Sequence, residues 1–202
     1  MANATDDKII RAATELFAAR GYAAVGTKDI ARRAGVNEST LFRVFGGKRQ
    51  VFDAVMRSLY QTLIPAEEVK RMMAAPDFEQ AMREFADRLT RLYTQNYIRI
   101  TVAVVIELKR PSAHVRNVSS PIYAPVLRRI AREMRAGTLR KMPPGRALRG
   151  LAFMIYAHAF TSALFGSEYR KLMAMRDDET GDYVDIWLNG LKPNSNASAD
   201  LQ

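Results

Sequence analysis

The stretch Thr27-KDIARRAGVNESTLFRVFGG-Lys48 decides how the first part of this chain folds. Its pattern predicts two short helices joined by a tight turn at Gly35, where the backbone must adopt a left-handed conformation that glycine reaches without steric cost. We expect the Thr27 hydroxyl to cap the first helix and Asn37 to cap the second. Each helix has a small apolar face, Ile30, Ala31 and Ala34 on the first and Leu41, Val44 and Phe45 on the second.

This layout is typical of a helix-turn-helix, whose second helix enters the major groove of DNA. An ordinary helical hairpin inside a core is the alternative. A helix predicted before the motif, Asp6 to Arg20, would supply a third wall through a stripe of apolar residues, and Gly46-Gly47 separates the motif from a longer helix that opens at Lys48. The motif and its neighbours therefore predict a three-helix domain.

The run from Ala13 to Met56 resembles the DNA-binding domain of TetR-type (tetracycline-repressor-like) transcriptional regulators. The shared features are LF and RGY in the helix that precedes the motif, T–DIA–AGV across the turn, and TLF–VF–K after the turn. The remainder of the chain fits that family in length, helicity and the segment Ala136–Arg140. The resemblance implies a larger C-terminal domain that binds a small-molecule effector and forms a homodimer.

Helical periodicity recurs along the chain between proline and glycine breakers, and strand patterns are nearly absent. It predicts helices near 48–63, 77–95, 97–109, 122–136, 145–166 and 179–191. The sequence thus predicts an all-α protein with three parts: a helix-turn-helix domain at 1–47, a helical effector-binding and dimerisation domain at 48–191, and a tail at 192–202 that we expect to be disordered.

Charge and composition limit the partners. The formal net charge of +10 favours a phosphate polymer as partner, although an anionic membrane surface or an acidic protein would also satisfy it. The chain contains no cysteine, no two-histidine metal spacing, no P-loop and no dinucleotide-binding glycine turn, so we expect neither a metal nor a cofactor. Leu151 to Phe165 is shorter than the roughly 20 residues of a membrane span, which favours a cytoplasmic protein without a membrane partner.

The residues expected to contact DNA lie at three helix starts. Glu38, Ser39 and Thr40, early in the second helix of the motif, would face base edges. Thr27, at the start of the first helix of the motif, and Lys48, at the start of the helix after the motif, would face phosphates, because helix N-termini favour anions. The resemblance independently supports Thr27, Lys28, Thr40, Phe42 and Lys48 as interface positions. The full predicted set is Thr27, Lys28, Glu38, Ser39, Thr40, Phe42, Arg43 and Lys48.

The predicted helix 145–166 is apolar on all its sides, so all its sides must be covered. Together with the last helix it would form a four-helix bundle across a twofold axis with a second copy of the chain. A fully internal core helix is the alternative. The residues predicted at the dimer interface are Leu151, Ile155, Tyr183, Trp187 and Leu191.

Aromatic and apolar residues of the larger domain are candidates for an effector pocket, with Glu107 and His158 as polar groups that fix orientation. Most stripes of this kind are plain core. The candidates are Phe85, Leu89, Tyr93, Tyr97, Glu107, Tyr123, Met154, His158 and Phe160. A further basic stripe at Arg128, Arg129, Arg132 and Arg135 is either a solvated helix face, an anionic effector site or a second DNA contact.

These observations predict a dimeric, sequence-specific transcriptional regulator that binds a palindromic operator and is a repressor relieved by a small molecule. Two other classes remain open. One is a DNA-organising protein that binds without sequence preference, and the other is an all-α enzyme, for which the sequence offers no catalytic pattern.

Overall fold

The computed structural model describes residues 4–94, 113–176 and 179–193, and within these ranges the chain is helical, with no strand. The helices are α1 (Ala4–Arg20), α2 (Thr27–Ala34), α3 (Glu38–Phe45), α4 (Lys48–Leu63), α5 (Ala66–Ala74), α6 (Phe78–Leu92), α7 (Ala113–Ala136), α8 (Pro144–Leu172) and α9 (Thr180–Leu191). The predicted all-α class is confirmed.

The chain forms two compact units. The first contains α1 to α4, as far as Ile64, together with Leu92–Ser119, and the second contains α5, α6 as far as Arg91, α7 from Ser120, α8 and α9. The domain boundary that we predicted after residue 47 falls inside the first unit, because α4 packs against α1 and α3.

An aromatic cluster joins the helices of the first unit. The ring of Phe17 on α1 lies 5.4 Å from that of Tyr22 and 6.1 Å from that of Phe52 on α4. Phe17 is fully buried, and burying one such side chain contributes about 1.5–3 kcal/mol. Ala31 on α2 is also buried, and its small side chain allows α2 to pack closely against α1 and α3. The first helix is thus the third wall that the sequence predicted.

The turn between α2 and α3 adopts the expected geometry. Gly35 has φ 70° and ψ 34°, its N–H donates to the Arg32 carbonyl, and the Val36 N–H donates to the Ala31 carbonyl at 3.0 Å. These bonds satisfy carbonyls that the end of α2 leaves without helical partners. α3 therefore starts in a fixed direction relative to α2.

The predicted caps were wrong in their chemistry. The N-cap of α2 is Gly26, whose N–H donates to the carboxylate of Asp29 at 3.1 Å, and the hydroxyl of Thr27 donates elsewhere. Asn37 is the N-cap of α3, but its side chain makes no capping hydrogen bond. An acid three residues into a helix can replace the cap hydroxyl because it also reaches back to the free N–H groups.

The second unit departs from prediction in two helices. α5 was missed because it spans only nine residues between prolines. α7 continues through Pro121 and Pro125, whereas the sequence placed a break at Pro121. A proline inside a helix costs about 3 kcal/mol, and here burial of Val126 and Ile130 on the same helix offsets that cost.

The other predicted helices are close to those observed. α4 has the predicted bounds, α6 lies inside 77–95, and α9 begins at Thr180, so Gly181 does not break it. The predicted helix 97–109 lies outside the described residues. The same is true of the predicted tail beyond residue 193.

α8 is buried on one side only. Leu151, Ile155 and Ala159 face the core, whereas Phe153 is 62% exposed and Leu164 60% exposed. The fully internal alternative therefore does not hold for the single chain. The apolar part of α8 is longer than the stretch Leu151–Phe165 that the sequence suggested: its segment Pro144–Phe165 has 22 residues and is, by length and composition alone, apolar enough to cross a bilayer, a test that core helices also pass.

The left-handed turn offers a test of this local fold. Gly35→Ala adds a Cβ that meets no atom within 4 Å, so any loss of stability comes from the backbone conformation alone. We expect the free energy of unfolding to fall by about 1–2 kcal/mol. Urea unfolding followed by circular dichroism measures it. Gly26→Ser, at a position without positive φ, should cause no comparable loss; an equal loss in both variants would contradict the explanation.

Candidate nucleic-acid interface

α3 presents one polar and aromatic face to solvent. Leu41 is fully buried on the inner side, while Ser39, Phe42 and Arg43 are exposed. Their spacing of three and four residues places them on one side of the helix. Phe42 is 49% exposed, which is unusual for a large apolar residue, and Thr40 is half-buried beside this face. The outward face of α3 therefore consists of residues predicted to contact DNA.

Two of the predicted DNA contacts bind each other. The hydroxyl of Thr27 at the start of α2 donates to Oε1 of Glu38 at the start of α3, at 2.6 Å. This bond holds the two helix starts together. It also occupies the Glu38 carboxylate, which the sequence analysis placed against base edges. Thr27 and Glu38 thus form part of the framework of the motif in this structure.

Lys48 begins α4 and is held in place from the loop after α1. Its Nζ lies 4.2 Å from the centre of the Tyr22 ring and donates to the Ala23 carbonyl at 3.3 Å. A cation above an aromatic face is stabilised by the ring quadrupole. Tyr22 was not among the predicted contacts, although it belongs to the RGY segment; its role depends on a contact between residues 26 positions apart in the sequence.

Asp29 organises the cations around α2. Besides the Gly26 N–H, its carboxylate binds Arg32 at 2.6 Å and lies 4.0 Å from Arg20. The Gly26 hydrogen bond, followed by the charges of Arg20 and Arg32, holds the pKa of Asp29 below its ordinary value. This half-buried acid was not among the predicted site residues, although it is the D of the DIA segment.

The cations near α3 fall into two groups. Arg32 and Arg33 are paired with Asp29 and Glu15. Lys28, Arg43 and Arg49 are exposed and have no hydrogen bond or ion pair within residues 4–94. Arg49, next to Lys48, was not among the predicted contacts. Cations without internal partners around an exposed helix face suit a polyanion.

The predicted effector residues lie mainly within the core of the second unit or at its margin. Phe85 and Leu89 are fully buried on α6, and the ring of Phe85 meets that of Tyr123 at 6.3 Å. Met154 and Phe160 are half-buried on α8, and Phe160 stacks on Tyr156 at 6.0 Å. Buried Tyr93 follows the end of α6, and Tyr97 and Glu107 lie outside the described residues. Phe85 and Tyr123 are therefore the two candidates for which a mutual contact is described.

His158, the second polar candidate, belongs to a closed hydrogen-bond network. The Tyr183 hydroxyl donates to Glu179 at 2.6 Å, and Nδ1 of His158 lies 2.9 Å from the same hydroxyl. Nδ1 also lies 3.2 Å from Oε2 of Glu179, so the three polar groups are within hydrogen-bond distance of one another. Burial, then the Glu179 bond, raises the pKa of Tyr183, and the same bond lowers that of Glu179. Nδ1 is thus already engaged within the chain.

The residues predicted at the dimer interface are largely internal. Leu151, Ile155, Trp187 and Leu191 are at most 5% exposed in the single chain, and Trp187 donates to the Ala147 carbonyl at 2.7 Å. Side chains without exposed surface have none to contribute to a partner. Only Tyr183 is half-buried. The exposed large apolar side chains of these helices and the residue that follows α8 are Phe153, Leu164, Phe165, Leu172, Met173 and Ile186.

Metal chemistry has no visible site in the described ranges. Among residues 4–94, 113–176 and 179–193 no group of three or more His, Asp or Glu side chains is placed to hold a metal ion.

Residues 9–55 match the family of bacterial regulatory proteins of the tetR family. A helix-turn-helix transcriptional repressor of Mycobacterium tuberculosis is 51% identical over 51 residues, 25% of this chain and 27% of that protein. The repressor NicS of Pseudomonas putida is 28% identical over a region that covers 57% of this chain and 54% of NicS. The matched region thus spans only about a quarter of the first curated relatives.

Solved structures share the fold over nearly the whole chain. The fatty acid degradation regulator FadR of Bacillus halodurans has a TM-score of 0.73 at 16% identity, covering 95% of this chain and 98% of that one. SmeT, the repressor of the multidrug efflux pump SmeDEF of Stenotrophomonas maltophilia, has a TM-score of 0.68 at 17% identity, covering 96% and 94%. At these identities the likeness concerns the fold.

The Asp29 network predicts a pH-dependent loss of stability. A lowered folded-state pKa contributes stability above the ordinary value of about 3.9 and loses it as pH falls through the lowered value. We expect Asp29→Ala to melt below the unsubstituted protein at neutral pH, with the difference shrinking below about pH 4. Thermal melting of both proteins, measured from neutral pH to below about pH 4, tests this prediction. Asp7→Ala, an exposed acid on α1, should show a smaller effect; a difference for Asp29→Ala that is constant with pH would contradict the prediction.

Proposed function

We propose that this chain, whose residues 9–55 form a DNA-binding domain of the tetR family, is a sequence-specific transcriptional regulator. It binds a palindromic operator as a homodimer and is a repressor relieved by a small-molecule effector. The observation that supports this function most is the outward face of α3, where Ser39, Phe42 and Arg43 stand exposed on a helix fixed by the Gly35 turn.

On DNA, this face lies in the major groove, with Ser39 and Thr40 at base edges and Arg43 at a guanine or a phosphate. Lys28 and Lys48, at the starts of α2 and α4, contact phosphates on either side. The contact between Lys48 and Tyr22 reduces the conformational freedom that the lysine loses on binding. Phe42 offers apolar contact to a thymine methyl or a sugar.

The homodimer forms through the exposed apolar face of α8 and α9, which we call the α8–α9 face: Phe153, Leu164, Phe165 and Ile186. Phe153 and Leu164 are eleven residues apart, about three helical turns, and so lie on one side of α8. A second copy would cover them in a four-helix bundle, and a symmetric pair of α3 helices would then read the two halves of a palindrome.

The effector acts on the second unit, and regulation requires that it favour the conformer that does not bind DNA. Phe85, Tyr123, Met154 and Phe160 remain the proposed apolar contacts. SmeT and NicS, which are repressors by name, support repression as the direction of control. We place the protein in the cytoplasm, without enzymatic activity, since its partner in this proposal is operator DNA.

Two substitutions distinguish a phosphate contact, which positions the protein on DNA, from a contact that recognises a base. Lys48→Ala should weaken binding to all sequences alike and make the salt dependence shallower by about one unit, because one phosphate contact is lost. Thr40→Ala should relax discrimination at a single base position of an operator obtained by selection from random DNA. Fluorescence anisotropy with mutated operators at several salt concentrations measures both.

Arg149→Ala, an exposed cation of α8, is the control for charge alone and should leave the salt dependence unchanged. The same slope for Lys48→Ala and the unsubstituted protein would remove the phosphate role. Selection that yields no common motif, despite tight binding, would favour the non-specific DNA-organising alternative over the regulator.

The α8–α9 face gives a second prediction. Phe153→Glu combined with Leu164→Glu would bury charges at the proposed interface, at a cost of several kcal/mol. We expect the unsubstituted protein to sediment at twice the chain mass of 22.7 kDa and the double variant at the chain mass with the same helix content. Phe42→Glu, an exposed aromatic on α3, should not change the mass; a double variant that remains dimeric would place the interface elsewhere.

A further inference from the structure

The second unit has an open groove between α5 and α7 whose walls are basic. Its volume is about 240 Å³, and no carboxylate residue is among its lining residues, which are Lys70, Met73 and Ala74 on α5 and Pro125, Arg128, Arg129 and Arg132 on α7. Four of these seven residues are cations, and the other three give the groove an apolar floor.

Arg129 forms a fixed part of this groove. It is 4% exposed, its guanidinium donates to the carbonyls of Met73, Ala75 and Pro76, and its Nε donates to Glu133 at 2.8 Å. The guanidinium thus satisfies carbonyls at the C-terminal end of α5, whose partial negative charge would otherwise repel an anion.

The other cations of the groove are only partly neutralised. Lys70 pairs with Glu67 at 2.6 Å on the surface, and Arg132 lies 3.9 Å from Glu133, which Arg129 already uses. Arg128 is exposed and makes no hydrogen bond or ion pair with the residues that the structure describes. Glu67 and Glu133, which do not line the groove, thus neutralise two of the four cations, and the groove retains a positive charge.

We propose that this groove binds a small phosphate-bearing anion. Arg128 and Arg132 are four residues apart on α7, so their guanidinium groups project from one side of the helix. Both can therefore donate hydrogen bonds to oxygens of the same phosphate group. The excess of two positive charges matches a phosphate dianion. Met73, Ala74 and Pro125 provide apolar contact for a short carbon chain attached to it. The ligand is either free phosphate or a phosphate monoester.

Isothermal titration of the full chain with inorganic phosphate and with butyl phosphate, in a phosphate-free buffer, tests this site. We expect saturable binding at one site per chain, weakened about tenfold or more by Arg128→Gln combined with Arg132→Gln, because charge-assisted hydrogen bonds are lost. Both arginines are exposed, so the variant should keep its urea unfolding midpoint without ligand.

Arg71→Gln is the matched control, since Arg71 is an exposed cation on α5 outside the groove, and it should change the affinity less than twofold. Tighter binding of butyl phosphate would identify a monoester as the ligand class, and equal binding would identify free phosphate. An equal loss in Arg71→Gln, or heats that never saturate, would overturn the proposal. No DNA is present, so failure of operator binding would leave this result intact.

Discussion

The left-handed backbone at Gly35 sets the geometry of the first unit. It allows the Val36 N–H to bond the Ala31 carbonyl, so α2 ends and α3 begins within three residues. With that angle fixed, Leu41 is buried inside the first unit, and the opposite face of α3 is left to solvent. Phe42 lies on that opposite face, which is why it remains 49% exposed.

Pairing among charged groups distinguishes the cations that build the fold from those available to ligands. Asp29 and Glu15 bind arginines of α1 and α2, and Glu133 binds the buried Arg129. The Arg33–Glu15 pair joins α2 to α1, and the Arg129 guanidinium joins α7 to the carbonyls at the end of α5. Net charge alone shows that the chain carries more cations than acids; the pairing shows which surfaces, around α3 in the first unit and along α7 in the second, retain the excess.

Much of the first unit was predictable because its interactions are local. The glycine turn, the apolar faces of α2 and α3 and the start of α4 involve residues within a few positions of each other. The caps were predicted less well, since a hydroxyl and a carboxylate near a helix start compete for the same N–H groups. In the second unit α5 was too short to show a period, and α7 kept its helix through two prolines because tertiary packing outweighed the local cost.

The helical class, the position of the helix-turn-helix and the exposure of Ser39, Phe42 and Arg43 on α3 follow from the amino-acid sequence. Periodicity and turn chemistry encode these features over one or two helical turns. Three features depend on packing between helices: the bond between Thr27 and Glu38, the contact of Tyr22 with Lys48, and the burial of Leu151 and Trp187 beside an exposed Phe153. Such contacts join residues distant in sequence, and a helix that is apolar on every side carries no pattern to say which side the core will cover.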